Sequence, residues 1–247
     1  MAATPSHDAL DVEVLATPDD LAARAADIIA DAAGAAMARD GRFILGLTGG
    51  DSPLPLYRLM AGPARERFPW KHTTILFGDE RCVPPDHEKS NYGMAVRELL
   101  GHVPVPDAQV LRMEGELPPD DGAARYERRL RETLGETGLI DVLLLGVGPD
   151  GHTASLFPGA SSLDEADRLV LHTIAPPSSP IEDRLTLTLP AMARARVVLV
   201  LCPGEQRRAV VRPIVAGAPD AEHFPAAHPR GAEQTIWLCD RGALGDA

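Results

Sequence analysis

Short runs of β-branched and leucine-rich residues recur along the chain, separated by longer stretches with apolar positions at helical spacing. The short runs predict strands at Val12–Ala16, Phe43–Leu47, Thr74–Phe77, Val142–Gly146, Val170–Ile174, Leu185–Leu189, Val197–Cys202 and Thr235–Cys239. Several are apolar at consecutive positions, as expected of strands covered on both faces. The intervening stretches carry readable helix starts. Thr17-Pro18-Asp19-Asp20 offers an N-cap, a proline at the first helical position and acids in the first turn, and the apolar spacing then runs to Gly41. Similar starts stand at Ser52-Pro53, Ser90-Asn91, Asp120-Asp121 and Pro203-Gly204-Glu205. Strand–helix alternation of this kind predicts one α/β domain over residues 1–247, doubly wound around a mostly parallel sheet with helices on both faces. A small subdomain is expected around 104–140.

In such folds ligands collect beyond the carboxyl ends of the strands, so three strand ends carry the chemistry. The first, Leu47-Thr48-Gly49-Gly50-Asp51-Ser52-Pro53, pairs two glycines with a helix start, a combination that suits an anion as well as it suits a tight turn. It is neither of the glycine-rich nucleotide loops. The second is Gly78-Asp79-Glu80-Arg81-Cys82-Val83-Pro84, with three charges directly after an apolar strand. If the strand continues, Asp79 and Arg81 share one face and Glu80 points the other way. Such a pair either orients a polar substrate or forms a surface ion pair. The third, Gly148-Pro149-Asp150-Gly151-His152, turns sharply and delivers a histidine to a strand end, where it can exchange protons near neutral pH. His7, His72, His87, His102, His172, His223 and His228 lack that context and read as surface or structural.

Composition narrows the class. Lys+Arg total 24 against 36 Asp+Glu, a formal charge of -12, which disfavours nucleic acid and anionic lipid as partners. No apolar run approaches a membrane span, and the N-terminal stretch Met1–Asp8 has neither a basic start nor an apolar core, so no membrane or secretory role is expected. Cys82, Cys202 and Cys239 are scattered, as expected of free thiols in the cytoplasm. No metal-ligand spacing and no GxSxG elbow occurs. Lys71 and Lys89 are the only lysines, so arginine supplies most cationic chemistry.

Taken together, these segments resemble the 6-phosphogluconolactonase family. The likeness runs from about Val12 to Trp237-Leu238-Cys239-Asp240 and is most specific at Gly148-Pro149-Asp150-Gly151-His152-Thr153-Ala154-Ser155-Leu156-Phe157-Pro158. The Asp79-Glu80-Arg81 stretch ending in Ser90-Asn91-Tyr92, the run Arg184-Leu185-Thr186-Leu187-Thr188 and the loop at 49–53 add to it. The resemblance implies a Rossmann-like fold shared with glucosamine-6-phosphate deaminases. It implies hydrolysis of 6-phospho-D-glucono-1,5-lactone in the oxidative pentose phosphate pathway, with no organic cofactor. It places the catalytic histidine on His152, its acidic and basic helpers on Asp79 and Arg81, and a phosphate contact on Arg184. Thr48, Gly49, Gly50 and Ser52 are expected to complete the phosphate site. Two departures stand out. Asp51 replaces the family's hydroxyl residue and is expected to turn away from phosphate. Where relatives carry a lysine after Gly204-Glu205, this chain has Arg207 and Arg208, and Arg207 is assigned to the phosphate.

The expected chemistry is general base catalysis. His152 takes a proton from the attacking water and returns it to the departing ring oxygen. Asp79 orients the imidazole or the substrate, and Arg81 stabilises the oxyanion or clamps the phosphate. A deaminase-like isomerase is the nearer alternative, but its characteristic carboxylate after the histidine is missing from Thr153–Pro158. A non-catalytic sugar-phosphate sensor is the other, but the chain lacks a basic DNA-binding extension.

Overall fold

The computed structural model describes residues 10–135 and 138–245, so His7 and the Met1–Asp8 stretch lie outside the described residues. The first half of the chain forms β1 (Asp11–Leu15), α1 (Pro18–Asp40), β2 (Phe43–Leu47), α2 (Leu54–Ala61), β3 (Thr73–Phe77), β4 (Asp79–Arg81), α3 (Asn91–Glu98) and α4 (Pro119–Leu134). The second half forms β5 (Ile140–Gly146), β6 (Val170–Ile174), β7 (Asp183–Leu187), α5 (Leu189–Met192), β8 (Ala195–Cys202), α6 (Arg208–Val215), β9 (Gln234–Asp240) and α7 (Arg241–Leu244). Helix α1 begins and ends as its sequence dictates. Thr17 Oγ1 accepts the Asp20 N–H at 3.1 Å, and Gly41, at φ 66, closes the helix in the left-handed region.

Six strands pair in parallel in the order β1-β9-β8-β5-β2-β3, with helices around the sheet. From β2 the chain steps outward to β3, whereas from β5 it winds the opposite way through β8 and β9. The winding therefore reverses between β2 and β5, and a crevice opens at their carboxyl ends. Consecutive apolar positions in β2 and β5 are buried on both faces, which accounts for their unbroken apolar runs.

The strands predicted at 170–174 and 185–189 do not join this sheet. With β4 they form a second, antiparallel sheet of order β4-β7-β6. The junction is Gly78, which donates its N–H to Leu47 O at 2.9 Å and accepts the Leu187 N–H at 2.8 Å. It thus closes one sheet and starts the other. Strand β7 stops at Leu187 because Thr188 turns to cap α5, its Oγ1 accepting the Ala191 N–H. Helix α4 packs against β6 and β7. Two buried tyrosines fix the strand ends at the crevice. Tyr57 Oη bonds both N and O of Thr48, and Tyr126 Oη bonds both N and O of Phe77.

Candidate active site

A cleft of about 330 Å³ lies at the β2/β5 reversal, roofed by the antiparallel sheet. It brings together Thr48, Gly49, Gly50 and Ser52, Asp79 and Arg81, and His152 from the three strand ends, and adds Arg184 and Arg207. None of the other described histidines lines it.

His152 enters from the loop after β5. Asp150 Oδ1 accepts the His152 backbone N–H at 3.2 Å and lies 2.6 Å from His152 Nδ1, while Phe157 packs on the ring at a centroid separation of 5.1 Å. A side chain at Gly148 could not fit, since a Cβ there would stand 2.1 Å from His152 Nδ1. Burial pushes the Asp150 carboxyl up, but the His152 hydrogen bond and charge outweigh it and hold the group below its ordinary value. An ionised Asp150 can only accept, so in the neutral imidazole the proton stands on Nδ1, facing it, and Nε2 is the basic nitrogen. Of the two places expected for Asp79, beside the imidazole or beside the substrate, Asp150 occupies the first.

Asp79 is instead held by neutral donors. Ser155 Oγ donates to its Oδ2 at 2.7 Å and Asn91 Nδ2 to its Oδ1 at 3.0 Å. Strand parity works as the sequence predicts. Asp79 and Arg81 face the cleft, whereas Glu80 is buried away from it and accepts from Arg81 N, Ser90 Oγ, Asn91 N and Tyr92 N at 2.7–3.0 Å. Glu80 thereby seats the start of α3 and delivers Asn91 to the cleft floor. Asn91 in turn explains Gly49, where a Cβ would stand 2.1 Å from Asn91 Oδ1.

Arg81 and Arg184 are directly opposed in the β4–β7 ladder, an arrangement that costs stability for like charges. Their hydrogen bonds go to neutral groups: Arg81 to Lys89 O, Arg184 to Ile181 O and Ser179 Oγ. Arg81 Nε is buried without a hydrogen-bond partner among the described residues. Burial, and then the Arg81 charge, draw the Arg184 pKa below its ordinary value. Two guanidiniums in one cleft that hydrogen-bond no carboxylate among the described residues can receive an anion. Arg207 reaches the glycine loop from the far side, donating to Ser52 Oγ at 2.9 Å and Val147 O at 2.7 Å, whereas Arg208 turns to Glu205 and Gly242. Asp51 is exposed at the rim of the cleft.

The sequence profile described as glucosamine-6-phosphate isomerases/6-phosphogluconolactonase matches residues 16–237. The chain belongs to this family. Within the glucosamine-6-phosphate isomerase/6-phosphogluconolactonase family, it is 38% identical to the 6-phosphogluconolactonase of Rattus norvegicus, over 94% of this chain and 91% of the relative. The crystal structure of 6-phosphogluconolactonase from Thermotoga maritima superposes with a TM-score of 0.81 at 29% identity, covering 94% of this chain and 99% of that one. A monomeric glucosamine-6-phosphate deaminase shares the fold, with a TM-score of 0.79 at 23% identity over 95% of this chain and 98% of that one. The family fold thus hosts both chemistries, and the site must discriminate between them.

Three site residues were not singled out from the sequence: Asp150, Asn91 and Ser155. Asp150 had a readable signal, because an aspartate two residues before another residue bonds that residue's N–H in an Asx turn. Asn91 and Ser155 depend on contacts 12 and 76 residues away in the chain, which no local pattern reveals.

Proposed function

We propose that this protein hydrolyses 6-phospho-D-glucono-1,5-lactone to 6-phospho-D-gluconate in the oxidative pentose phosphate pathway, with His152 as the general base. The observation that carries this reading is the ionised Asp150 held against His152 Nδ1, in a cleft that also presents Arg81 and Arg184.

Nε2 takes a proton as water attacks the lactone carbonyl, a role that supplies about 10²–10⁴-fold. Asp150 stabilises the resulting imidazolium. Arg81 stabilises the tetrahedral oxyanion. The intermediate collapses by breaking the bond from C1 to the ring oxygen, and the imidazolium returns its proton to that oxygen. Product and resting enzyme result without net proton consumption at His152. Arg184, with Arg207, Ser52 and the amides of Thr48, Gly49 and Gly50, holds the phosphate and so fixes the distance to the reacting carbonyl. The segment Thr153–Pro158 offers no carboxylate for ring opening or isomerisation, which disfavours deaminase chemistry.

The test generates the lactone in situ with glucose-6-phosphate dehydrogenase and follows 6-phosphogluconate with excess 6-phosphogluconate dehydrogenase. Acceleration over the spontaneous rate by the wild type, lost in His152→Ala, is the expected result. A wild type that does not accelerate the reaction would refute the reading.

A further inference from the structure

The residue that joins the two halves of the cleft is Ser155. His152 and Ser155 belong to the loop after β5, whereas Asp79 belongs to β4 in the antiparallel sheet. Ser155 is 1% exposed, its Oγ donates to Asp79 Oδ2 at 2.7 Å and its N–H donates to Thr186 Oγ1 at 3.2 Å on β7. The chain accepts strain to achieve this. Ala154, which also lines the cleft, sits at φ 48 and is the sole non-glycine among the described residues at positive φ. A left-handed alanine persists only where its surroundings over-determine it. Here they do: Thr153 Oγ1 is tied to Gly146 O before it, Ser155 to two strands after it.

Asp79, 7% exposed, receives one neutral donor on each oxygen and forms no ion pair among the described residues. A carboxylate fixed in this way is an oriented acceptor with remaining lone pairs, lining a cleft whose proposed substrate carries ring hydroxyls. We propose that Ser155 is a positioning residue that locks Asp79 as the acceptor for a ring hydroxyl, making the cleft selective for polyhydroxylated lactones. Deleting that hydroxyl from the substrate leaves the buried carboxylate short of a partner, so discrimination exceeds what shape alone supplies. This inference rests on the lactonase reading above.

The test compares kcat/KM for 6-phosphogluconolactone and its 2-, 3- and 4-deoxy counterparts in the wild type, S155A, S155C, S155T and D79N. In the wild type, one deoxy lactone is expected to lose at least about tenfold. That gap shrinks to about twofold or less in S155A, S155C and D79N and persists in S155T, which keeps the hydroxyl. The near-isosteric S155C carries the test if S155A does not fold. In the D79N background S155A adds no further loss of discrimination, because both act through one contact. An active wild type that treats all deoxy lactones alike, or Ser155 variants that slow every lactone by one factor with the gap intact, would overturn the inference alone. A wild type inactive on the intact lactone would overturn the functional reading and this inference with it.

Discussion

Asp150 binds His152 twice through one oxygen: Oδ1 accepts the backbone N–H at 3.2 Å and lies 2.6 Å from Nδ1. The backbone bond fixes where the loop puts the residue, and the side-chain bond fixes which nitrogen keeps the proton. An Asp150→Asn substitution retains the shape but removes the charge that stabilises the imidazolium. Steady-state kinetics are expected to show kcat lowered by about tenfold to a thousandfold with KM nearly unchanged. A kcat within twofold of wild type would remove Asp150 from the mechanism.

The same pair sets a pH dependence of stability. The folded-state pKa of Asp150 lies below its ordinary value, because the His152 bond and charge outweigh burial. A depressed carboxyl contributes stability that is present above its unfolded pKa and is lost as pH falls through the folded one. Urea midpoints measured from neutral pH downward should therefore fall less steeply on the acid side for Asp150→Ala than for the wild type. Parallel acid limbs for the two proteins would contradict this linkage.

Much of this geometry is written locally. The capped start of α1, the buried runs of β2 and β5 and the parity of Asp79, Glu80 and Arg81 each depend on residues within a few positions of one another. What the local pattern does not carry is partnership. Val170–Ile174 and Leu185–Leu189 read as strands, yet nothing in their own composition distinguishes a parallel neighbour from β4. That choice is made at Gly78, where one residue bonds into both sheets. Likewise Glu80 was legible as the carboxylate facing away from the cleft, but its role needs Ser90, Asn91 and Tyr92 ten to twelve residues on.

Glu80 gives a stability prediction that is separate from chemistry. Its two oxygens face four donors, three backbone N–H groups and the Ser90 hydroxyl. In Glu80→Gln, one of those oxygens becomes an NH₂ group opposed to N–H donors, leaving buried donors unsatisfied. The expected loss is about 1–3 kcal/mol in chemical denaturation, with the start of α3 loosening first in hydrogen exchange. Because Asn91 rides on that helix start, activity should fall along with stability. An unchanged unfolding midpoint would mean that the carboxylate contributes nothing net to the seat of α3.

Arg81 and Arg184 make the sharpest functional distinction. They face each other across the β4–β7 ladder, and neither guanidinium hydrogen-bonds a carboxylate among the described residues. Their mutual repulsion is tolerated in a cleft proposed to take a phosphorylated lactone, whose phosphate, held at Arg184 as proposed, would relieve it. Arg184 is the more buried of the two and is anchored by Ile181 O and Ser179 Oγ, so its guanidinium is fixed where the anion arrives. Replacing it by methionine keeps much of the side-chain bulk and removes the charge. A lost charge-assisted contact of about 1.5–3 kcal/mol corresponds to a KM raised about tenfold to a hundredfold for 6-phosphogluconolactone. For unphosphorylated gluconolactone the same substitution should leave KM within about twofold, because the lost partner is missing from that substrate. Arg81→Met is expected to behave differently, lowering kcat on both lactones, since its proposed place is at the developing oxyanion. If Arg184→Met weakened both lactones equally, the phosphate would have to be held elsewhere, and Arg207 beside Ser52 would be the next residue to replace.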